Sequence, residues 1–401
     1  MTPILFQEKK NCCGCYACVS ICPEHAIIMT ADDEGFLYPM IQEGQCTGCG
    51  LCKKVCLFQT GYCKTPEKGW PIVIAAKHKS EEVRRQSSSG GAFTAVSDYI
   101  LQLNGVIYGA AFDEQHNVIH DRAETEAARN RFRGSKYVQS HIGDNFQRIE
   151  RDLKDGRYVL FTGTPCQSAG IKSYLELKRT EVSRLVLCDL VCHGTPSPLL
   201  WREHIRSIEQ HYQSKVKDYC CRSKVNGWHS HTEEVELDNG TVNYASTFVQ
   251  KHKNIFYAHV ALRPSCHCCI YTTLQRTSDI TIADFWGIEK VMPDFDDNKG
   301  VSLIILHNSK GKEIFESSEK YLDYRLSTER DCIQPQLQYP SVASPKRAVF
   351  WEDYCRRGYS YVVKKYAGVG SRAKIRAGII KILQRTGALG MVKAILRSSS
   401  T

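Results

Sequence analysis

The sequence predicts an α+β (mixed α/β) protein built from a small cysteine-rich module followed by a larger region in which strands and helices mix. Two observations carry this reading: ten of the 20 cysteines fall in the first 63 residues, and from Pro71 onward short apolar runs alternate with amphipathic segments. Length is a third, since 401 residues at roughly 100–200 per domain imply two to four domains. The expected boundaries are 1–63, 71–157, 158–350 and 354–401, with Thr65-Pro66-Glu67-Lys68-Gly69 as a linker.

Taken in order, residues 1–63 read as short loops wrapped around cysteines. Beyond the linker, 72–77 reads as a strand, 91–103 as a helix, and 105–112 and 118–123 as strands. A helix over 146–154 leads into the apolar strand 158–161, then Gly163-Thr164-Pro165-Cys166-Gln167, then a helix over 168–177. The strand 185–191 runs into Cys192-His193-Gly194-Thr195-Pro196-Ser197-Pro198, whose prolines suit the opening of a helix that carries Trp201. Finally, 233–237 and 242–245 flank Asp238-Asn239-Gly240, a strong hairpin signal.

The net charge of +10 has a local origin. Residues 1–353 hold 42 basic and 43 acidic side chains, whereas the last 48 hold eleven basic and no acidic ones. A basic tail of this kind leaves the body without a nucleic-acid footprint. No uncharged apolar run approaches the 18 or so residues of a spanning helix. The amino terminus lacks a basic start followed by an apolar run, so the cysteines are expected to be metal ligands in a reducing cytoplasm rather than disulfides.

Their spacing is specific. Cys12-x2-Cys15-x2-Cys18-x3-Cys22-Pro23 and Cys46-x2-Cys49-x2-Cys52-x3-Cys56 form the two-cluster bacterial ferredoxin run, in which the fourth cysteine of each run ligates the other cluster. Cys12, Cys15, Cys18 and Cys56 would hold one 4Fe-4S cluster, and Cys46, Cys49, Cys52 and Cys22 the second. Paired Cys-x2-Cys units also suit tetrahedral zinc, which is the competing reading. Leu57 stands where the second run would carry a proline, and Cys13 and Cys63 fall outside the pattern as expected bystanders.

Four further segments carry a family resemblance: Ser87-Ser88-Ser89-Gly90-Gly91-Ala92-Phe93, Arg133-Gly134-Ser135-Lys136-Tyr137, Thr162-Gly163-Thr164-Pro165-Cys166-Gln167, and Arg263-Pro264-Ser265-Cys266-His267-Cys268-Cys269 with Ser278–Gly287 behind it. Together with the module in front, the chain resembles the coenzyme F420 hydrogenase and dehydrogenase beta subunits over about 71–290. The resemblance implies a flavoprotein in which FAD exchanges hydride with a two-electron partner beside a third 4Fe-4S cluster. It implies that Cys166, Cys192, Cys266 and Cys269 hold that cluster, with Cys268 a competitor for the place of Cys269. A reactive thiol at a helix amino terminus is the other reading of Cys166.

For FAD, the resemblance points to Ser89, Gly90, Gly91, Gly134, Ser135, Lys136, Tyr137, Gly163 and Thr164. Gly90 and Gly91 before a helix suit close approach of backbone N–H groups to phosphate or ring oxygens, and Lys136 suits a diphosphate or a reduced flavin. A plain helix cap and a solvated turn are their ordinary readings, as a loop histidine is for His193. Gly368-Val369-Gly370-Ser371-Arg372-Ala373 fits a dinucleotide fingerprint, but no acidic residue follows it, so that reading is discarded.

The expected function is therefore oxidoreduction, with ferredoxin or a similar carrier as electron donor, or else relay inside a larger redox complex. Bacterial relatives of this type are encoded with surface-polysaccharide enzymes, which suggests a small-molecule or lipid-linked substrate. Ile375, Ile379, Ile382 and Leu383 lie opposite Lys374, Lys381 and Arg385 on a helix, a pattern suited to peripheral contact with anionic lipid at the inner membrane face. Docking of that helix on its own domain is equally expected.

Overall fold

The computed structural model describes residues 2–62 and 69–368. In the amino-terminal module β1 (Ile27–Ala31) and β2 (Leu37–Ile41) pair antiparallel between the two cysteine runs, a hairpin that the cysteine-dominated sequence does not announce. The body contributes β3 (Ile72–His78), β4 (Val106–Phe112), β5 (Val118–Ala123), β6 (Val159–Gly163) and β7 (Leu185–Leu190). After these come β8 (Val216–Ser223), β9 (Thr232–Leu237), β10 (Val242–Asn243), β11 (Ile280–Asp284), β12 (Ser302–Leu306) and β13 (Leu322–Ser327).

Eight of them form one mixed sheet in the order β13-β3-β12-β11-β7-β6-β4-β5, and β10-β9-β8 make a small antiparallel sheet. The centre of the large sheet, β11-β7-β6-β4, is parallel, while its flanks are antiparallel. Parallel strands are covered on both faces, which is why Val159-Leu160-Phe161 and Leu185-Val186-Leu187 are apolar at every position and buried throughout. Ala95, Val96 and Ile100 of the helix Ala92–Gln102 cover one face. The helices Asn145–Lys154 and Pro165–Leu177 cover the other through Phe146, Ile149, Ile171 and Tyr174.

The module shares that second core. Tyr16, Ala17, Ile21 and Val55 pack into the same apolar cluster as Phe161 and Ile171, so the module is seated on the body. The contact is close at Gly170, where an added Cβ would lie 3.0 Å from Cys15 Cβ and 3.1 Å from its Sγ. At the far side Arg347 forks onto Glu34, tying the module to the helical segment Arg347–Tyr366, which breaks at Gly358 (φ 74°, ψ −179°).

Two boundaries differ from expectation. The helix expected to start at 168 starts at Pro165, because Gln167 Oε1 accepts from the Thr164 N–H and proline suits the first helical position. This places Cys166 in the first turn of the helix. The helix Arg347–Tyr366 runs through the boundary expected at 354, since Phe350, Trp351, Tyr359, Val362 and Val363 are buried against Leu200 and Ile255. Cys63, most of the linker, and the amphipathic basic stretch from 374 lie outside the described residues. Among the described residues no helix is long and apolar enough to cross a membrane.

Gly170→Val should loosen the seated module, at a cost of about 1–3 kcal/mol typical of overpacking. Urea unfolding and limited proteolysis of the anaerobic protein would check this, with the module the first segment to become cleavable.

Candidate functional site

The carboxyl ends of β6 and β7 are neighbours in the parallel centre of the sheet, the edge where open α/β sheets bind ligands. Cys166 follows β6 and Cys192 follows β7. The segment Pro264–Cys268 reaches the same edge: the Arg263 N–H donates to Thr195 O at 3.0 Å, and Pro196 bridges Leu262. Cys266 and Cys269 thereby come close enough to Cys166 and Cys192 for their charges to interact. Two backbone donors face these sulfurs, with Gly194 N at 3.4 Å from Cys192 Sγ and Thr195 N at 3.4 Å from Cys266 Sγ. Cys268 turns away, its Sγ 3.5 Å from Lys10 O at the surface.

In the module Cys56 is brought beside Cys12, Cys15 and Cys18, and Cys22 beside Cys52 and Cys49. The first group is the inner one, lining an apolar cavity closed by Val55, Gly170 and Tyr271. The second group is the outer one, with Cys49 exposed. All described cysteines are free thiols. Four sulfurs gathered with no disulfide, as at the inner group of the module and at the sheet edge, suit the all-thiolate shell of a 4Fe-4S cluster.

Burial pushes the Cys12 and Cys18 thiols up, and Cys56 to about 11. Burial likewise raises Cys192 and Cys266, and Cys269 to about 12. Cys166 goes the other way, to about 7, because the neighbouring Cys13 thiol supports its charged form against burial, with help from the Thr164 hydroxyl 3.1 Å away. Metal binding must displace the protons of the raised thiols, so their ligation and their deprotonation are one event.

A cavity of about 340 Å³ opens beside Cys166, Cys192, Cys266 and Cys269. Ser89, Gly91, Gly134 and Ser135 line it, as do Lys136, Tyr137, Gly163 and Thr164. Gly90 does not; its carbonyl accepts the His78 N–H at 2.7 Å and it packs against β3 and β12. Arg133 adds positive charge to the wall, where Arg222 is paired with Asp284, and burial lowers Lys136 to about 8 while its Nζ donates to the carbonyls of Arg131 and Arg133. A cationic wall beside small residues on Ser- and Gly-rich loops suits a diphosphate, and the size lies within the ordinary range of small-molecule pockets. At the rim, half-exposed Trp286 stacks on Trp228, with ring centroids 4.9 Å apart. His193, expected to be a loop histidine, also lines the cavity; its Nε2 lies 2.6 Å from that of His259, and burial lowers it to about 4.

Cys13, expected to be a bystander, lies against both Cys15 and Cys166 and lines both the module cavity and the body cavity. Arg263 enters the sequence reading only as the first residue of a motif, yet it is fully buried between the two sites. The sequence signal is adjacency to Cys12 for Cys13 and a place three residues before Cys266 for Arg263, and neither says in which direction a side chain points.

The family model for the C terminus of the coenzyme F420 hydrogenase/dehydrogenase beta subunit matches residues 156–329, and that for the 4Fe-4S dicluster domain matches 11–60. The chain is an iron–sulfur relative of the F420 hydrogenase beta subunits. It is a redox protein of the hydrogenase/dehydrogenase type, with its amino-terminal cysteines in a 4Fe-4S dicluster domain. Among solved structures, a chain of the F420-reducing NiFe hydrogenase complex of Methanosarcina barkeri is similar at 16% identity, over 73% of this chain and 90% of that one, with a TM-score of 0.43. No protein of curated function matches the chain.

Cys269→Ala should lower the iron content of the purified protein, and Cys268→Ala should leave it unchanged. Iron analysis of the two variants side by side would check the assignment.

Proposed function

We propose that this iron–sulfur relative of the beta subunits is a flavoprotein oxidoreductase. When bound, the 4Fe-4S clusters supply one-electron transfer from a carrier such as ferredoxin, and FAD converts single electrons into the pair that reduces a substrate. One observation carries the reading: the cysteine groups lie in series from exposed Cys49, through the Cys12 group at the module cavity, to Cys166 and its neighbours at the body cavity wall.

Within that arrangement the chain's own residues have separate tasks. Cys22, Cys46, Cys49 and Cys52 hold the outer cluster where a docking carrier can reach it. Cys12, Cys15, Cys18 and Cys56 hold the inner one under the apolar cover of the module. Cys166, Cys192, Cys266 and Cys269 hold the third. Ser89, Gly91 and Gly134 leave backbone space for FAD, and Lys136 and Arg133 balance its charge. The rim around Trp286 remains open for a substrate, for which the surface-polysaccharide association of bacterial relatives suggests a glycan precursor.

A second reading follows from the similarity to a beta subunit, which is part of an assembly: the chain relays electrons inside a larger complex and carries out no turnover alone. Copurification with a second protein, and loss of flavin reduction without it, would select that reading.

Anaerobically purified protein should contain about twelve iron and twelve sulfide per chain and about one FAD, and its visible spectrum should bleach with dithionite. Cys166→Ser should lower the iron by about four while the module retains its share. About eight iron and no flavin in the wild type would overturn the body site, and zinc without iron would overturn the redox reading altogether.

A further inference from the structure

Buried arginines in this fold come with carboxylates. Arg84 pairs with Asp297, Arg129 with Asp98 at 2.6 Å, Arg222 with Asp284 at 3.3 Å and Arg276 with Asp189 at 3.6 Å. Arg263 breaks the pattern. It is 1% exposed, and among the described residues no carboxylate lies within ion-pair distance of it. A guanidinium stays charged at any pH a folded protein survives, so this cation needs an anion.

The groups facing it identify that anion. Nε donates to Cys12 O at 2.9 Å and Nη1 to Gln139 Oε1 at 2.9 Å. Nη2 donates to Leu37 O at 3.0 Å and points at Cys12 Sγ at 3.7 Å, and the guanidinium covers the Tyr38 ring at 4.1 Å. At the sheet edge the Cys266 N–H donates to the Arg263 carbonyl at 2.9 Å, and Arg263 and Cys266 line the same cavity. Cys12 belongs to the inner group of the module and Cys266 to the group at the sheet edge. The approach is as close as the backbone permits: Gly14 has φ +67°, and a Cβ there would lie 3.0 Å from the guanidinium carbon. Between the two cavities stands a shared wall of Cys13, Phe58 and Tyr271, each of which lines both.

Resting on the cluster assignment above, we propose that Arg263 is the common counter-cation of the inner and third iron–sulfur sites. It is a positioning residue: it holds the Cys12 loop against the body and, as a fixed positive charge in dry surroundings, favours the more negative, reduced state of the clusters on either side. One side chain thus keeps two neighbouring sites within reach of the same electron.

The test uses the full-length protein, purified anaerobically, with iron analysis and reductive titrations followed by electron paramagnetic resonance. Arg263→Gln should retain iron and shift the reduction equilibrium of the adjacent clusters about tenfold toward the oxidised state, about 59 mV for a one-electron couple. Arg263→Lys keeps the charge and should move it less. Gln139→Glu provides a second route that leaves the arginine in place, because a carboxylate at the Nη1 contact neutralises the cation and should produce the same downward shift. Gln139→Leu, which removes the contact without adding charge, should not. Full iron content with unmoved potentials in both Arg263→Gln and Gln139→Glu would overturn the inference. Wild-type protein without iron would instead overturn the cluster reading on which it rests.

Discussion

The apolar contact between the cysteine module and the helix that carries Cys166 in its first turn is the constraint on which the other features depend. Tyr16, Ala17, Ile21 and Val55 enter the core that also contains Phe146, Phe161, Ile171 and Tyr174. At about 1.5–3 kcal/mol for each large side chain fully buried, this contact outweighs any single polar link between the two parts. It needs Gly170, because Cys15 occupies the space a side chain would fill. A module of about 60 residues has little core of its own, so seating it here completes its burial and brings the inner cysteines to the wall of the body cavity.

From that contact follows an electrostatic pattern. Burial raises most of the thiols, which favours neutral sulfur until a metal takes the place of the protons. Backbone N–H groups at Cys192 and Cys266, the Thr164 hydroxyl at Cys166 and the Arg263 guanidinium at Cys12 offset part of that cost for the charged form. The cavity beyond combines Lys136 and Arg133 with an apolar lining, an environment in which negative charge is held more strongly than in water.

The extent to which the sequence reveals this depends on how local each signal is. Strands such as 159–163 and 185–190 are legible because both faces are buried and their residues are almost all apolar. The module's grouping of Cys56 with Cys12, Cys15 and Cys18 is legible because the two runs have the spacing of the two-cluster pattern, in which the fourth cysteine of each run crosses to the other cluster. The gathering of Cys166, Cys192, Cys266 and Cys269 depends on adjacent parallel strands, which no spacing encodes; it comes only from resemblance. The position of Gly90 away from the cavity, the wall formed by Cys13, and the burial of Arg263 away from any carboxylate among the described residues are properties of tertiary packing. Their residue types alone give no sign of them. The helix start at Pro165 escapes a reading that takes the cysteine motif as a turn, despite the Thr164–Gln167 cap.

As proposed, the cysteine groups form one series ending at the cavity. Stopped-flow spectroscopy of flavin reduction by a reduced ferredoxin tests it directly, comparing wild type with a Cys166→Ser variant loaded with equal flavin. The account predicts that the module is reduced normally in both, while flavin reduction in the variant slows by orders of magnitude. Equal flavin reduction rates in the two proteins would contradict it.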